Sequence, residues 1–325
     1  MPKLEGPQAV VQRLRGHWRL NVNEPLWGRS AVLALQRVLD DEAEARLPHR
    51  AGWCLGPDSF AQLLDSLSES AQIVSLESAL QLHHDARPRI ALTFDGGWQD
   101  LNHQVAPTLE RRALPASIFL APLAAPRFRA PWQAVLGEAL WQRTSAGPVD
   151  DAFGDAGLPA PPPVAARDAR YSQTILNYLT PFSEIAVKTL DALATTLLPA
   201  SGLADQALDT FSVRRLEQGG LLRFGSLLPR DADAASQRIP HDHQRLQALC
   251  ESPLPVAACD EEAISDAESL GRLIARLGLD HVLTRQPGWL SLPAERPLLP
   301  RFTITQPLAN SPGLLFDRLL GNLSS

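Results

Sequence analysis

The residues best able to do chemistry in this chain lie where an apolar run ends. Ile90-Ala91-Leu92-Thr93-Phe94 leads into Asp95-Gly96-Gly97-Trp98-Gln99-Asp100. A carboxylate at such a position can act as a base or a polar anchor. It can equally accept hydrogen bonds from the Gly96-Gly97 turn or cap the next helix. Asp100 reads as a helix N-terminal charge or cap rather than a catalytic group. Elsewhere, His241 and His243 are two residues apart, so on a helix they diverge by about 200° and cannot share one ion. His103, on the helix expected after Asp95, is the better-placed imidazole for a ligand, with a surface or core role as the plainer alternative. Cys54, Cys250 and Cys259 match no zinc or CxxC spacing and read as small buried hydrophobes in a reducing compartment.

The elements that must position these residues follow from the hydrophobic pattern. Short apolar runs bounded by Pro, Gly or Asp alternate with helical periodicity, which predicts an α/β fold with a largely parallel sheet. Strands are expected at 31–35, 90–94, 116–120, 221–226, 256–259, 281–284 and 302–305. A helix is expected over 58–68, with Asp58 as N-cap and Phe60, Leu63, Leu64 and Leu67 on one face. Another covers 99–112, where Pro107 must sit early or kink it. A third covers 264–277, with Leu270, Leu273, Ile274 and Leu277 inward and Gly278 closing it. Residues 127–209 differ: helices at 132–141, 172–179 and 185–198 surround a Pro-rich loop at 158–164. The strand pattern resumes afterwards, so this stretch is expected to be a helical insertion in one domain spanning 1–325.

Bulk composition excludes several classes of function. The chain has 325 residues and a formal charge of −6, with a pI near 5.8, so it lacks the basic face a nucleic-acid binder needs. No apolar run approaches the ~20 residues of a bilayer span. The first residues lack the basic-then-apolar layout of a secretion signal, which makes a cytoplasmic location the expectation.

Six segments, in order and at consistent spacing over roughly 30–305, carry a resemblance. The run ending Thr93-Phe94-Asp95-Gly96-Gly97-Trp98-Gln99-Asp100 is similar to the T-F-D-D-G-[YW]-x-D motif of polysaccharide deacetylases of the NodB-homology type (carbohydrate esterase family 4). Leu114-Pro115-Ala116-Ser117-Ile118-Phe119-Leu120 resembles that family's second strand, and Leu35-Gln36-Arg37-Val38 its "Y-H-R-V" segment. Pro131-Trp132 resembles the start of an inserted helical region found in one branch. Phe211-Ser212-Val213-Arg214-Arg215-Leu216, ahead of Phe224-Gly225-Ser226, resembles the approach to the family's H-[ST]-x-x-H motif. Pro300-Arg301-Phe302 resembles a C-terminal "L-P-R-I" strand.

The resemblance implies a distorted (β/α) barrel with its site at the strand C-termini. It also implies metal-assisted removal of an acetyl group from an N-acetylated sugar, with one Asp and two His holding a zinc-like ion and a neighbouring Asp as base. Carried over residue by residue, the base falls on Asp95. The metal-binding Asp falls on Gly96, the first His on Leu227 and the second His on Asp231. Two of the three ligand positions therefore cannot bind an ion, so no metal and no other cofactor is expected. The aromatic-Pro segment that lines the family's groove and the C-terminal "L-x-H" motif are also missing. Restoring the ligands by Gly96→Asp with Leu227→His is expected to rebuild the Asp-His side of the site.

The expected function is that of a catalytically inactive deacetylase-like protein with a carbohydrate-binding, scaffolding or regulatory role in polysaccharide or glycoconjugate metabolism. The alternative is an active hydrolase with a rebuilt site using Asp95 and Asp231. Within the first reading, Trp98, Asp100 and Asp231 are the residues placed to meet a glycan, although Trp98 could equally pack in the barrel. The insertion is the expected face for a protein partner. Leu227 and Leu228 are expected to be largely buried, covered by the insertion or by the 229–233 loop.

Overall fold

The computed structural model describes residues 26, 28–120, 130–206, 208–228, 238–259 and 267–321. Its strands are β1 (Ser30–Leu35), β2 (Arg37–Val38), β3 (Cys54–Leu55), β4 (Gln72–Val74), β5 (Arg89–Gly96), β6 (Ala116–Leu120), β7 (Leu222–Leu228), β8 (Val256–Cys259), β9 (His281–Leu283), β10 (Leu298–Leu299) and β11 (Phe302–Thr303). All seven expected strands are present. The four unforeseen ones are two or three residues long, too short to show alternation.

One sheet runs in the order β10-β9-β8-β7-β6-β5-β1-β11, with β4 on β5 beside β6, and β2 pairs with β3 separately. Every pairing between named strands is parallel. The two ends of the path, β10 and β11, are separated in sequence only by Pro300-Arg301. Since two residues cannot span a flat sheet, the sheet must curl round on itself. The result is a distorted (β/α) barrel.

Strand alternation sorts side chains between the two faces. Outward-facing Ile90, Leu92 and Phe94 of β5 join one core with Phe60, Leu63, Leu64 and Leu67, which lie on helix α1 (Pro57–Ser70). Inward-facing Ala91 meets Val32, Phe119, Val256, Ala258, Leu283 and Leu299 in the barrel interior. Thr93 and Asp95 share the parity of Ala91 and so point inward too. Strands buried on both faces read as continuous apolar runs, which is why they were visible in the sequence.

Two helix boundaries differ from expectation for physical reasons. The N-cap position of α1 is Gly56, not Asp58, with Pro57 at the first helical position. Its free N–H groups are satisfied from outside: Asp58 and Ser59 donate to the Glu42 carboxylate at 3.0 and 3.3 Å. After β5, Leu101–Val105 forms a π-helical turn, with Ala106 N–H bonded to the Leu101 carbonyl. Helix α2 (Ala106–Glu110) follows. Pro107 has no N–H to give the His103 carbonyl, so a regular α ladder cannot run unbroken through this position.

Between β6 and β7 lie α3 (Trp132–Gln142), α4 (Pro148–Asp155), α5 (Ala169–Leu179), a 3₁₀ turn (Thr180–Glu184) and α6 (Val187–Ser201). Helix α4 was not anticipated. Helix α3 is apolar on nearly every side and buried almost throughout, as a central helix must be. Its core also takes in Trp53, Cys54 and Trp98, so these helices pack directly on the β2–β3 region and on the turn after β5. Then come α7 (Thr210–Gln218), α8 (Arg238–Leu249), α9 (Ala267–Leu277) and α10 (Pro312–Leu320). In α9, Leu270, Leu273, Ile274 and Leu277 are buried as expected, and Gly278 closes it with φ +67°. Ile264 lies outside the described residues. Among the described residues, no helix is long and apolar enough to cross a membrane.

Candidate functional site

The candidate site is the C-terminal end of β5, where Asp95 enters the barrel. Asp95 is 3% exposed and Arg301, from the dipeptide that joins the sheet's two ends, is fully buried. The pair is bidentate: Arg301 Nη1 donates to Asp95 Oδ1 at 2.8 Å and Nη2 to Oδ2 at 2.9 Å. The same guanidinium donates to Thr93 Oγ1 at 3.1 Å and to the Thr284 carbonyl at 3.2 Å. It also reaches the Cys259 carbonyl at 3.4 Å and lies 5.8 Å from the centroid of the Phe119 ring. One side chain thus bonds β5, β8 and the end of β9 across the barrel interior. A second guanidinium, that of Arg285, stands 3.7 Å from Asp95 Oδ2.

The turn after Asp95 is held open by glycine and filled by tryptophan. Gly96 and Gly97 have φ of +113° and +74°, values that L side chains rarely adopt. A Cβ on Gly96 would meet Trp98 Nε1 at 2.4 Å, and one on Gly97 would meet Leu120 Cδ2 at 2.4 Å. Trp98 Nε1 donates to the Asp95 carbonyl at 3.1 Å. The Arg37 guanidinium lies 4.4 Å from the centroid of its ring, and Trp53 is tilted against it at 6.1 Å. With Trp98 only 1% exposed, packing is the one of its two open roles that these surroundings support.

Asp100 is likewise engaged inside the fold. It occupies the N-cap position of the π turn yet makes no side-chain cap bond. Instead it accepts from Arg37 Nε at 2.9 Å and from Val38 N–H at 2.8 Å, tying the turn to β2. Burial raises its pKa, outweighing the opposing pull of Arg37 and the Val38 N–H. The residues leading into α7 fasten the turn from the other side. Leu208 N–H donates to the Gly97 carbonyl and Gln99 N–H to the Gln206 carbonyl, both at 2.8 Å.

The remaining candidates scatter. Leu228 is buried, whereas Leu227 is only partly so. Leu227 packs against both the barrel interior and the core of the helices between β6 and β7. Asp231 and the 229–233 loop lie outside the described residues. His103 is exposed. His241 is exposed while His243 is buried, as the divergence on a helix requires. His243 Nδ1 pairs with Ser226 Oγ at 2.8 Å. Burial lowers the His243 pKa, and the nearby Leu277 backbone opposes it. The three cysteines are buried and form no disulfide. Burial pushes the Cys250 thiol up to about 12 and the Cys54 thiol well above its usual value, so neither supplies a thiolate nucleophile.

The zinc-like ion implied by the resemblance has no matching cradle in these residues. Gly96 brings no donor and its side-chain direction is filled by Trp98. Leu227 brings only carbon, and both Asp95 oxygens are engaged by Arg301. Among the described residues, no three His, Cys, Asp or Glu side chains converge. The residue that sequence reasoning missed is Arg301, which entered only as a strand marker. Its signal was a charged residue in the short link between two apolar stretches, Leu298-Leu299 and Phe302, which must find a partner to be buried at all.

No family model matches the chain, and no curated protein matches it. Solved structures do. The chain is similar to the Streptococcus pyogenes deacetylase PplD in complex with acetate, with 15% identity and a TM-score of 0.53, over 89% of this chain and 98% of that one. It is similar to a de-N-acetylase from Aggregatibacter actinomycetemcomitans at 15% identity and TM-score 0.50, over 85% and 95% of the two chains. It is also similar to BC0361, a polysaccharide deacetylase from Bacillus cereus, at 12% identity and TM-score 0.50, over 87% and 67%. The fold is therefore that of the polysaccharide deacetylases.

Proposed function

We propose that this deacetylase-fold chain does not carry out metal-dependent deacetylation and serves polysaccharide or glycoconjugate metabolism as a carbohydrate-binding component. The observation that carries this reading is the Asp95–Arg301 pair. A general base must present a carboxylate oxygen to water, and here the carboxylate is almost wholly buried, with both oxygens bonded to a buried guanidinium inside the barrel. The filled position at Gly96 supports the same conclusion. An aspartate there would need a different turn, because its Cβ would overlap the Trp98 ring. The deacetylase fold, shared with proteins described as acting on polysaccharides, supports an N-acetylated glycan as the ligand class.

The test combines three measurements on the purified chain. Elemental analysis is expected to find less than stoichiometric zinc, cobalt or nickel. Acetate release from an N-acetylglucosamine oligomer is expected to stay at the buffer rate. Calorimetric titration with the same oligomer is expected to show binding. Chelator-sensitive acetate release would overturn the reading and favour the alternative, a rebuilt hydrolase using Asp95 and Asp231.

A further inference from the structure

The described residue with the most conspicuous side chain is Phe211. It is 73% exposed, the most exposed large hydrophobic residue among those described, and lies at the second position of α7. It is not part of a loose end. Asp209 caps the helix by accepting from Ser212 N–H at 2.6 Å, and Leu208 is bonded to Gly97 in the turn after Asp95. Leu208 and Phe211 are three residues apart, so the ring stands within roughly 10 Å of chain from the barrel mouth. The buried face of α7 is completed by Ser212, Val213, Leu216 and Glu217. Phe211 therefore contributes nothing to the core that would explain an exposed aromatic ring.

Its exposed neighbours along the chain are polar. Asp209, Thr210, Arg214 and Arg215 are all exposed. Arg215, one turn along the same helix face, donates through Nη2 to Asn102 Oδ1 at 2.9 Å, joining α7 to the π turn that follows Asp95. A protein-docking site needs a contiguous apolar area, and a lone ring among charged groups does not provide one. A flat ring flanked by a guanidinium and an amide is instead suited to a pyranose. The ring covers the sugar's apolar C–H face, and the polar groups meet its hydroxyl and acetamido oxygens. We infer that Phe211, with Arg215 and Asn102 beside it, is a glycan-contact platform on the rim of the barrel, binding N-acetylated sugar units that extend from the mouth. This rests on the carbohydrate-binding reading above and adds a place and a residue to it.

The test is calorimetric titration of wild type, Phe211→Ala and Phe211→Trp with the N-acetylglucosamine tetramer. Phe211→Ala is expected to weaken binding about fivefold or more, as loss of a binding hot spot does. Phe211→Trp is expected to bind at least as tightly as wild type. The thermal midpoints of both variants should match wild type, because the ring is outside the core. Undiminished binding by Phe211→Ala, with wild type binding, overturns the platform and leaves the carbohydrate-binding reading standing. No binding by wild type overturns both.

Discussion

Arg301 and Asp95 are 206 residues apart in sequence and form a two-bond ion pair inside the barrel, at 2.8 and 2.9 Å. The arginine comes from the two residues between the first and last strands of the sheet path. Closure of the barrel and pairing of the acid at its mouth are therefore one structural event. Arg301→Ala leaves a buried carboxylate without its bidentate partner and is expected to destabilise the fold by about 3–5 kcal/mol. Arg301→Met with Asp95→Asn should recover much of that loss. Urea unfolding of Arg301→Ala, of the single variants Arg301→Met and Asp95→Asn, and of the double variant checks this. Additive losses in the double variant would show that the two residues do not act as a pair.

The contact between Gly96 and Trp98 reverses one expectation from the sequence. Gly96→Asp with Leu227→His would supply two ligands on paper. The turn at φ +113° and the Trp98 ring 2.4 Å from the new Cβ oppose the aspartate. Gly96→Asp alone should destabilise by at least about 2 kcal/mol, within the range for strained backbone. The double variant should gain no zinc affinity by competition titration. Trp98→Ala is itself costly as a core truncation, but because it relieves the overlap, its cost should be smaller in the Gly96→Asp background than in wild type.

Leu227 and Leu228 are adjacent but not equivalent. Leu228 is 2% exposed and packs with Ile239, Cys259, Leu270 and Leu273 outside the barrel. Leu228→Ala should cost roughly 2–5 kcal/mol. Leu227 is only partly buried, so Leu227→Ala should cost less than its neighbour in the same denaturation experiment. An equal or larger cost at Leu227 would mean that it is fully covered in solution.

Acid sensitivity should trace to the seam between the β2–β3 region and helix α3. There Glu138 accepts from Arg50 Nε at 2.5 Å and from Arg50 Nη2 at 2.9 Å, and His49 Nε2 stands 3.4 Å away. Burial pushes the Glu138 pKa up, but His49 and Arg50 together outweigh it and hold the value at about 2, below the usual 4.5. A lowered folded-state pKa contributes stability that is fully present above pH 4.5 and is lost as pH falls from there toward 2. The loss should reach roughly 3 kcal/mol. Glu138→Gln should lower the urea midpoint at pH 7 and flatten its fall between pH 4.5 and 2. An unchanged pH profile would remove Glu138 from this role.

Seven of the strands were legible in the sequence because each is a local apolar run, and a strand buried on both faces needs nothing else to be seen. The Asp95-Gly96-Gly97-Trp98 turn was legible for the same reason, as was the loss of ligand chemistry at Gly96 and Leu227, since residue type alone decides whether a donor atom exists. What Asp95, Trp98 and Asp100 touch was decided only by the tertiary structure. Each is held by a partner distant in sequence: Arg301 reaches Asp95 because the sheet curls closed, and Arg37 spans Trp98 and Asp100 because β2 lies beside the π turn. The N-cap of α1 was misplaced for the same physical reason, because the carboxylate that caps it, Glu42, belongs to another element. Local pattern reports propensity and burial. The choice of partner for a buried charge depends on which distant backbone arrives beside it, and the folded chain alone sets that.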